Sequence, residues 1–531
     1  MIGPQAPSDR ESEAQDESRG GSSGFRAAAW SRRRLIGLLA GPALFASMFL
    51  LPVPDDMTPE AQKMAAIALL MATWWMCEAI PIPATALLPL ILMPMCGLLP
   101  MKDAAAPYAS ELIFLFMGGF LIALSMQRWN LHRRIALLVV CGFGFAPDRL
   151  VLGFMVASAG LSAFVSNTVT ALMMMPIGVA VIQHVVAEGR RMGLDRSIDF
   201  SCEKFAFGTN LMLGIAYACS IGGIATLIGT PPNTVLAGYL QHTYGFEITF
   251  ARWMQVGVPL AVVMLGLCWV WLTRFANPMR LVRVPGGREL IQNELRSLGP
   301  MCRGECVTAV VFGLTALAWI LREVVAELWP APSMISDAVI GMTGGLLLFV
   351  IPVGRRGTFA MNWEWANRLP WGMLLLFGGG LSLACGFERT GLSSWLAGRI
   401  ELLSGAPILV LVLAVTLLII FLTELTSNTA TAAMAMPVLC AVALGIGENP
   451  LLLLVPAALA ASCAFMLPVA TPPNAIVFGS GNVTMSQMIK SGFALNLIGI
   501  VLITLLTYSL VVPLFGIVYG LVPSWTGCVG G

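Results

Sequence analysis

The chain has 531 residues, of which 57% are hydrophobic and only 11% charged. Soluble domains carry about 25% charged residues, so this composition cannot supply a water-facing surface for a chain of this length. The net charge of +2 includes no basic stripe with interleaved aromatics, which excludes a nucleic-acid partner. Apolar runs near 20 residues recur from Leu35 to Phe515, each long enough to cross a bilayer as a helix. An all-α polytopic membrane protein with about eleven transmembrane helices is expected.

Residues 1–30 are polar and aperiodic, and read as a disordered cytoplasmic tail. Arg32, Arg33 and Arg34 directly precede the first span and hold the N-terminus inside. That span is too long for a cleavable signal and has no small-residue cleavage site. A first half over 31–275 contains a broken apolar segment at 149–187. A basic cytoplasmic linker, 276–304, follows, and a second half over 305–531 contains a second broken segment at 406–446. Basic residues gather at Arg190, Arg191, Arg196 and Lys204, at Arg274, Arg280, Arg283, Arg288, Arg296 and Arg303, and at Arg355 and Arg356. Placing these loops inside puts the C-terminus outside, in keeping with an odd number of spans.

The halves repeat each other. Ser166-Asn167-Thr168 returns as Ser427-Asn428-Thr429, 261 residues later, and Pro176 returns as Pro437 at the same offset. Phe116-Met117-Gly118-Gly119 matches Phe377-Gly378-Gly379-Gly380 in the same register. Thr230-Pro231-Pro232-Asn233 returns as Thr471-Pro472-Pro473-Asn474, offset by 241, the difference being a longer basic loop in the first half. The first triplet is flanked by Arg149 and Arg190 and the second by loops without basic residues, so the two segments enter from opposite sides. Two re-entrant hairpins in an inverted repeat place a binding site near the midplane.

Irregular backbone at membrane depth survives only inside protein or beside a water-filled cavity. Proline removes a donor and frees carbonyls of the preceding helix. Those carbonyls, with Ser and Asn oxygens, make a hard, formally uncharged cage suited to sodium. Past each break a new helix begins, and its N–H groups and dipole attract an anion. Two halves together suit an anion with two separated carboxylates. A lone Ser-Asn-Thr could be a helix cap and a lone Pro-Pro-Asn a turn; duplication at matched offsets within apolar segments favours a site.

Glu424, three residues before Ser427, is a membrane-embedded carboxylate; a sodium-field or proton role and a hydrogen-bonded structural role both fit. Glu78 and Glu111 lie near span ends and read as structural. His132, His184 and His242 do not cluster, and Cys302 and Cys306 have no histidine nearby, so neither a metal centre nor histidine catalysis is expected. The sequon Asn482-Val483-Thr484 falls on the cytoplasmic side of this topology. No phosphate-binding Gly-x-x-x-x-Gly-Lys-Ser/Thr loop and no hydrolase motif occurs, so the chain is not read as an enzyme.

Trp74-Trp75-Met76-Cys77-Glu78-Ala79-Ile80-Pro81-Ile82-Pro83 with Thr85-Ala86-Leu87-Leu88-Pro89, the stretch Arg128-Trp129-Asn130-Leu131-His132-Arg133-Arg134, and both duplicated motifs resemble the divalent anion/sodium symporter family. The family contains di- and tricarboxylate transporters, and the likeness covers residues 35 to 515. It implies a homodimer whose protomers have a scaffold domain and a transport domain sliding as an elevator. It implies sodium at Ser162, Ser166, Asn167 and Gly229, and at Thr423, Ser427, Asn428 and Ala470. Substrate carboxylates would meet Asn167, Thr168, Asn428 and Thr429, with Thr230, Pro231, Thr471 and Pro472 nearby. Sodium symport of succinate, malate or fumarate is the implied activity in a bacterial inner membrane; citrate, sulfate and sodium-independent exchange are the alternatives.

Overall fold

A computed structural model describes residues 32–54, 56–193, 199–201, 204–279, 281, 286–327, 334–354, 357–399 and 407–527. The expected tail, 1–30, lies outside these residues, as do Arg196, Arg280, Arg283, Arg355 and Arg356. Among the described residues the secondary structure is helical, apart from one isolated bridge between Pro352 and Phe359.

The first half contains α1 (Arg32–Leu50), α2 (Pro59–Cys77), α3 (Leu88–Met95), α4 (Glu111–Arg128), α5 (Leu131–Phe143), α6 (Pro147–Ser162), α7 (Asn167–Arg191), α8 (Ala206–Ile224), α9 (Pro231–Tyr244) and α10 (Phe250–Val270). A short amphipathic helix, α11 (Gly287–Ser297), occupies the basic linker. The second half contains α12 (Arg303–Ile320), α13 (Asp337–Val350), α14 (Trp371–Arg389), α15 (Leu392–Gly398), α16 (Ile408–Thr423), α17 (Asn428–Gly445), α18 (Leu451–Ala461), α19 (Pro472–Gly479) and α20 (Met485–Leu506). Among the described residues, nine helices are long and apolar enough to cross a membrane, and four shorter apolar helices accompany them. The expectation of about eleven came from counting apolar runs, several of which are divided at polar or proline-bearing breaks.

The repeat extends beyond the motifs. The pair α6–α7, with a four-residue break at 163–166, matches α16–α17, broken at 424–427. Each of α8 and α18 stops a few residues before a Thr-Pro-Pro-Asn motif that starts α9 or α19. Proline at the first helical position sets the φ angle and has no N–H to orphan, which is why new helices start there. Thr249 and Thr484 then cap α10 and α20, accepting from Arg252 N and Gln487 N at 3.2 and 3.3 Å. Both helices end in a π-helical turn, Trp271–Ala276 and Thr507–Val511.

Every residue of α18 and all of α8 after Ala206 are buried, so these two arms form the centre of the molecule. The repeats interlock reciprocally around them: α7 packs against α19, and α17 against α9. Each break also rests on a glycine of the next helix. A Cβ on Gly257 of α10 would stand 2.5 Å from Ile224 O, and one on Gly492 of α20 would stand 2.2 Å from Phe465 O. Ile224 and Phe465 are 241 residues apart, equivalent points at the last residue of α8 and within the unwound stretch after α18.

The close approach allows no side chain at either glycine, because a backbone carbonyl cannot move aside as a flexible side chain can. Gly257→Val and Gly492→Val should each destabilise the protein by roughly 1–3 kcal/mol or more, whereas Gly160→Val, where a Cβ meets nothing within 4 Å, should not. Thermal unfolding of the purified variants in detergent checks this. Equal melting temperatures for all three would remove the glycines from the packing of the breaks.

Candidate functional site

A cavity of about 430 Å³ lies where the two repeats meet. Its walls include Ser166, Asn167 and Thr168 at the start of α7, Gly229, Thr230 and Pro231 before and into α9, Ser427, Asn428 and Thr429 at the start of α17, and Ala470, Thr471 and Pro472 before and into α19. All eight residues expected to meet a carboxylate therefore share one space. Of the residues expected to hold sodium, six line it; Ser162 and Thr423, both fully buried, stand behind it. Phe116, Phe120, Ile82, Met373 and Glu78 line it as well.

The cavity receives the N-termini of four helices, α7, α9, α17 and α19. Each such terminus carries the equivalent of about half a positive charge on N–H groups without intrahelical partners. Among the described residues lining the cavity there is no lysine, arginine or histidine. Its attraction for an anion comes from dipoles and hydroxyl donors.

Beside each Ser-Asn-Thr tip is a knot of oxygens. In the first repeat, Ser162 Oγ lies 2.6 Å from the Asn167 amide group. The amide orientation that satisfies its neighbours donates from nitrogen to Ser162 Oγ at 2.6 Å, Cys219 O at 3.2 Å and Gly229 O at 3.3 Å. Three oxygens thus converge on one amide, and a half-turn of that amide would add a fourth in a set suited to a hard cation. In the second repeat Thr423 Oγ1 donates to Asn428 Oδ1 at 2.7 Å and contacts Ala461 O at 3.0 Å. Ser162–Asn167 and Thr423–Asn428 are the same pair 261 residues apart.

The unwound backbone is braced by residues whose roles the sequence did not disclose. Asn233 Nδ2 donates to Gly223 O, Ile224 O and Thr226 O at 3.2, 3.3 and 2.8 Å. Asn474 Nδ2 donates to Ala464 O and Leu467 O at 3.2 and 3.1 Å, the equivalent carbonyls. The last residue of each Thr-Pro-Pro-Asn motif thus turns back on the carbonyls freed by its own break. Motif duplication marked these asparagines without revealing that task. Gly223 gave no signal in the sequence: a Cβ there would lie 2.8 Å from the Asn167 amide group and 3.1 Å from Gly229 O, inside the first oxygen knot.

Glu424 is resolved toward bracing. Its Oε1 accepts from Phe465 N at 2.7 Å, Met466 N at 2.8 Å and Asn496 Nδ2 at 2.8 Å, and its Oε2 accepts from Leu467 N at 3.1 Å. In the first repeat its place is taken by Ala163, whose carbonyl accepts from Thr226 Oγ1. Glu78, expected to be structural, caps the C-terminus of α2 and also lines the cavity. Glu111 accepts from Gln241 at 3.2 Å, away from the site. Cys302 caps α12, and Glu305 of the same turn pairs with Arg134 at 2.8 Å. No group of three or more potential metal-binding side chains (His, Cys, Asp or Glu) occurs among the described residues.

An all-helical, deeply apolar fold with paired helix breaks around one polar cavity is that of a membrane transporter. The family model for the sodium:sulfate symporter transmembrane region matches residues 32–517. The chain therefore belongs to this family, the divalent anion/sodium symporters, and is an integral membrane transporter with no enzymatic role. It is 45% identical over 486 residues to a protein of Staphylococcus saprophyticus named sodium-dependent dicarboxylate transporter SdcS, covering 91% of this chain and 92% of that one. It is 44% identical over 491 residues to the protein of the same name from Staphylococcus aureus, with 92% and 93% covered. The fold is similar to the YdaH transporter of Alcanivorax borkumensis (TM-score 0.56, 14% identity, 92% and 99% covered) and to MtrF of Neisseria gonorrhoeae (TM-score 0.55, 13% identity, 92% and 97% covered).

Removing the Glu424 carboxylate would leave three backbone N–H groups without acceptors, and each orphaned donor costs about 1–3 kcal/mol. Glu424→Ala should lower the melting temperature sharply, and Glu424→Gln, which keeps one acceptor oxygen, should fall between it and the unaltered protein. A melting temperature for Glu424→Ala equal to that of the unaltered protein would show that the carboxylate does not brace the break.

Proposed function

We propose that the chain imports C4-dicarboxylates, such as succinate, malate and fumarate, together with sodium. The observation that carries this reading is the meeting of four helix N-termini in one cavity, flanked by two matched oxygen knots. The dianion would place one carboxylate at Asn167 and Thr168 and the other at Asn428 and Thr429, with Thr230, Pro231, Thr471 and Pro472 closing the ends. Sodium would occupy the knot of Ser162, Ser166, Asn167 and Gly229 and that of Thr423, Ser427, Asn428 and Ala470. Each asparagine serves ion and carboxylate at once, its oxygen facing one and its amide hydrogens the other. The names of the staphylococcal relatives agree with both the ion and the anion class.

Transport on this reading is an elevator movement. The two helix pairs α6–α7 and α16–α17, each re-entering from its own face of the membrane, travel with α8–α9 and α18–α19 against a scaffold in a homodimer. The protein sits in the bacterial inner membrane with its N-terminus in the cytoplasm and its C-terminus outside. Two sodium ions neutralise one dianion, which matters because each uncompensated charge meets roughly 2.3 kcal/mol per 100 mV of membrane potential.

Uptake of radiolabelled succinate into proteoliposomes tests this. Replacing external sodium with choline should abolish accumulation. Asn167→Ala and Asn428→Ala each remove hydrogen bonds to a charged group, worth roughly 1.5–3 kcal/mol, so apparent affinity should fall about tenfold to a hundredfold. Succinate uptake indifferent to sodium would instead identify a sodium-independent exchanger, and near-normal uptake by both variants would take the tips out of the site.

A further inference from the structure

The cavity has one ionisable side chain among its described lining residues, and it is acidic: Glu78. An anion site gains nothing obvious from a carboxylate on its wall, so its placement needs a cause. Glu78 caps the C-terminus of α2 in the left-handed region, φ 49° and ψ 42°, with its N–H on Trp74 O. Few non-glycine residues adopt this conformation, and one that does is held there by its surroundings. Here two arginines of α1 hold the turn. Arg33 Nε donates to Met76 O at 3.1 Å, and Arg34 Nε donates to Ala79 O at 2.9 Å, on either side of Glu78. Arg33 Nη2 also reaches Leu425 O, at 2.8 Å, in the break between α16 and α17. The Glu78 turn is therefore tied both to α1 and to the second tip. Its carboxylate has no ion pair or hydrogen bond among the described residues, and the residue is exposed.

We infer that Glu78 sets the charge limit of the substrate: it is a specificity-determining residue that admits dianions and disfavours trianions of the same size. This rests on the reading of the cavity as a dicarboxylate site. Four N-termini and two cations offer a fixed amount of positive potential, which a dianion matches. A third carboxylate would have to reach beyond the four N-termini into the remainder of the cavity, where Glu78 is the one ionisable side chain among the described lining residues. At about 10 Å, with an effective dielectric constant of roughly 20–40, one extra unit charge changes binding by about four- to fifteenfold. Arg33 and Arg34 position the turn by donating to the backbone carbonyls of Met76 and Ala79. Glu78 thus brings a carboxyl group to the cavity lining.

The test compares tricarballylate, a trianion when fully ionised, with its mono-amide, a dianion of the same shape. Both compete against radiolabelled succinate in sodium-loaded assays at a pH where every carboxyl is ionised. The unaltered protein should favour the mono-amide over the trianion. Glu78→Gln should shrink that preference by about four- to fifteenfold, and Glu78→Asp should retain it. The ratio is also read from ligand-induced thermal stabilisation in detergent, which needs no transport and reports whether each variant is folded. An unchanged ratio in folded Glu78→Gln would overturn the inference. So would a ratio changed equally by Glu78→Asp, since that would indicate shape rather than charge. Failure of the unaltered protein to take up succinate would instead count against the proposed function, while the stabilisation ratios would still decide the role of Glu78.

Discussion

Two helices are interrupted in the middle of an apolar chain, and every peptide group released by those interruptions needs a partner that is not water. Unpaired polar groups in hydrocarbon cost several kcal/mol each, so the breaks exist only because neighbouring side chains reach them. Asn233 and Asn474 gather the freed carbonyls, Trp253 donates to Ile224 O at 3.0 Å, and Glu424 gathers the freed N–H groups. Gly257 and Gly492 let the next helix come close enough to close the gap. The oxygens and helix N-termini facing the cavity are what remains after this bracing. The bracing is symmetric in what it leaves over: Asn233 Oδ1 and Asn474 Oδ1 are both buried without a hydrogen-bond partner among the described residues. Both repeats carry that cost.

The repeats are alike in outline and unlike in charge. At matched positions the first has Ala163, Gly223 and Gly229 where the second has Glu424, Ala464 and Ala470. The first break is braced by a neutral hydroxyl, Thr226, and leaves room for close approach of carbonyls. The second is braced by a buried carboxylate and carries methyl groups at the same points. On the proposed reading a cation in the second knot would have the Glu424 carboxyl group one residue beyond Thr423, whereas one in the first knot has Ala163 at the matched place. On the proposed reading the two ions are therefore inequivalent: the second is held more firmly and the first exchanges more freely.

Much of this was legible in the sequence because duplication is a strong signal. The matched Ser-Asn-Thr and Thr-Pro-Pro-Asn motifs pointed to the two breaks, and all eight residues picked from them as carboxylate contacts line one cavity. What stayed hidden depended on contacts between distant segments. Gly257 and Gly492 look like ordinary small residues until the carbonyls of Ile224 and Phe465 are placed against them. Glu424 was ambiguous because its acceptor role depends on N–H groups about 40 residues away. Glu78 read as structural because it sits at the end of α2, and only the packing of α2 beside the tips turns it toward the cavity. The offsets of 261 and 241 identify which residues correspond across the repeat; they do not say which wall faces them.

The electrostatics also bear on coupling. A sodium ion in either knot sits beside a helix N-terminus, and both are positive, so each ion without an anion is opposed by the terminus next to it. On the proposed reading a dianion alone has only dipoles and hydroxyl donors to meet it, in a cavity whose lining includes Glu78. Either partial load is therefore poorly held, while the full load cancels both repulsions in one space. On the proposed reading this makes binding of ions and anion mutually dependent, because each supplies the charge that the other lacks. A fixed lysine or arginine in the cavity would remove that dependence, since it would hold the anion whether or not sodium was present. The lack of such a residue among the described lining residues is thus the feature that ties anion movement to the ions.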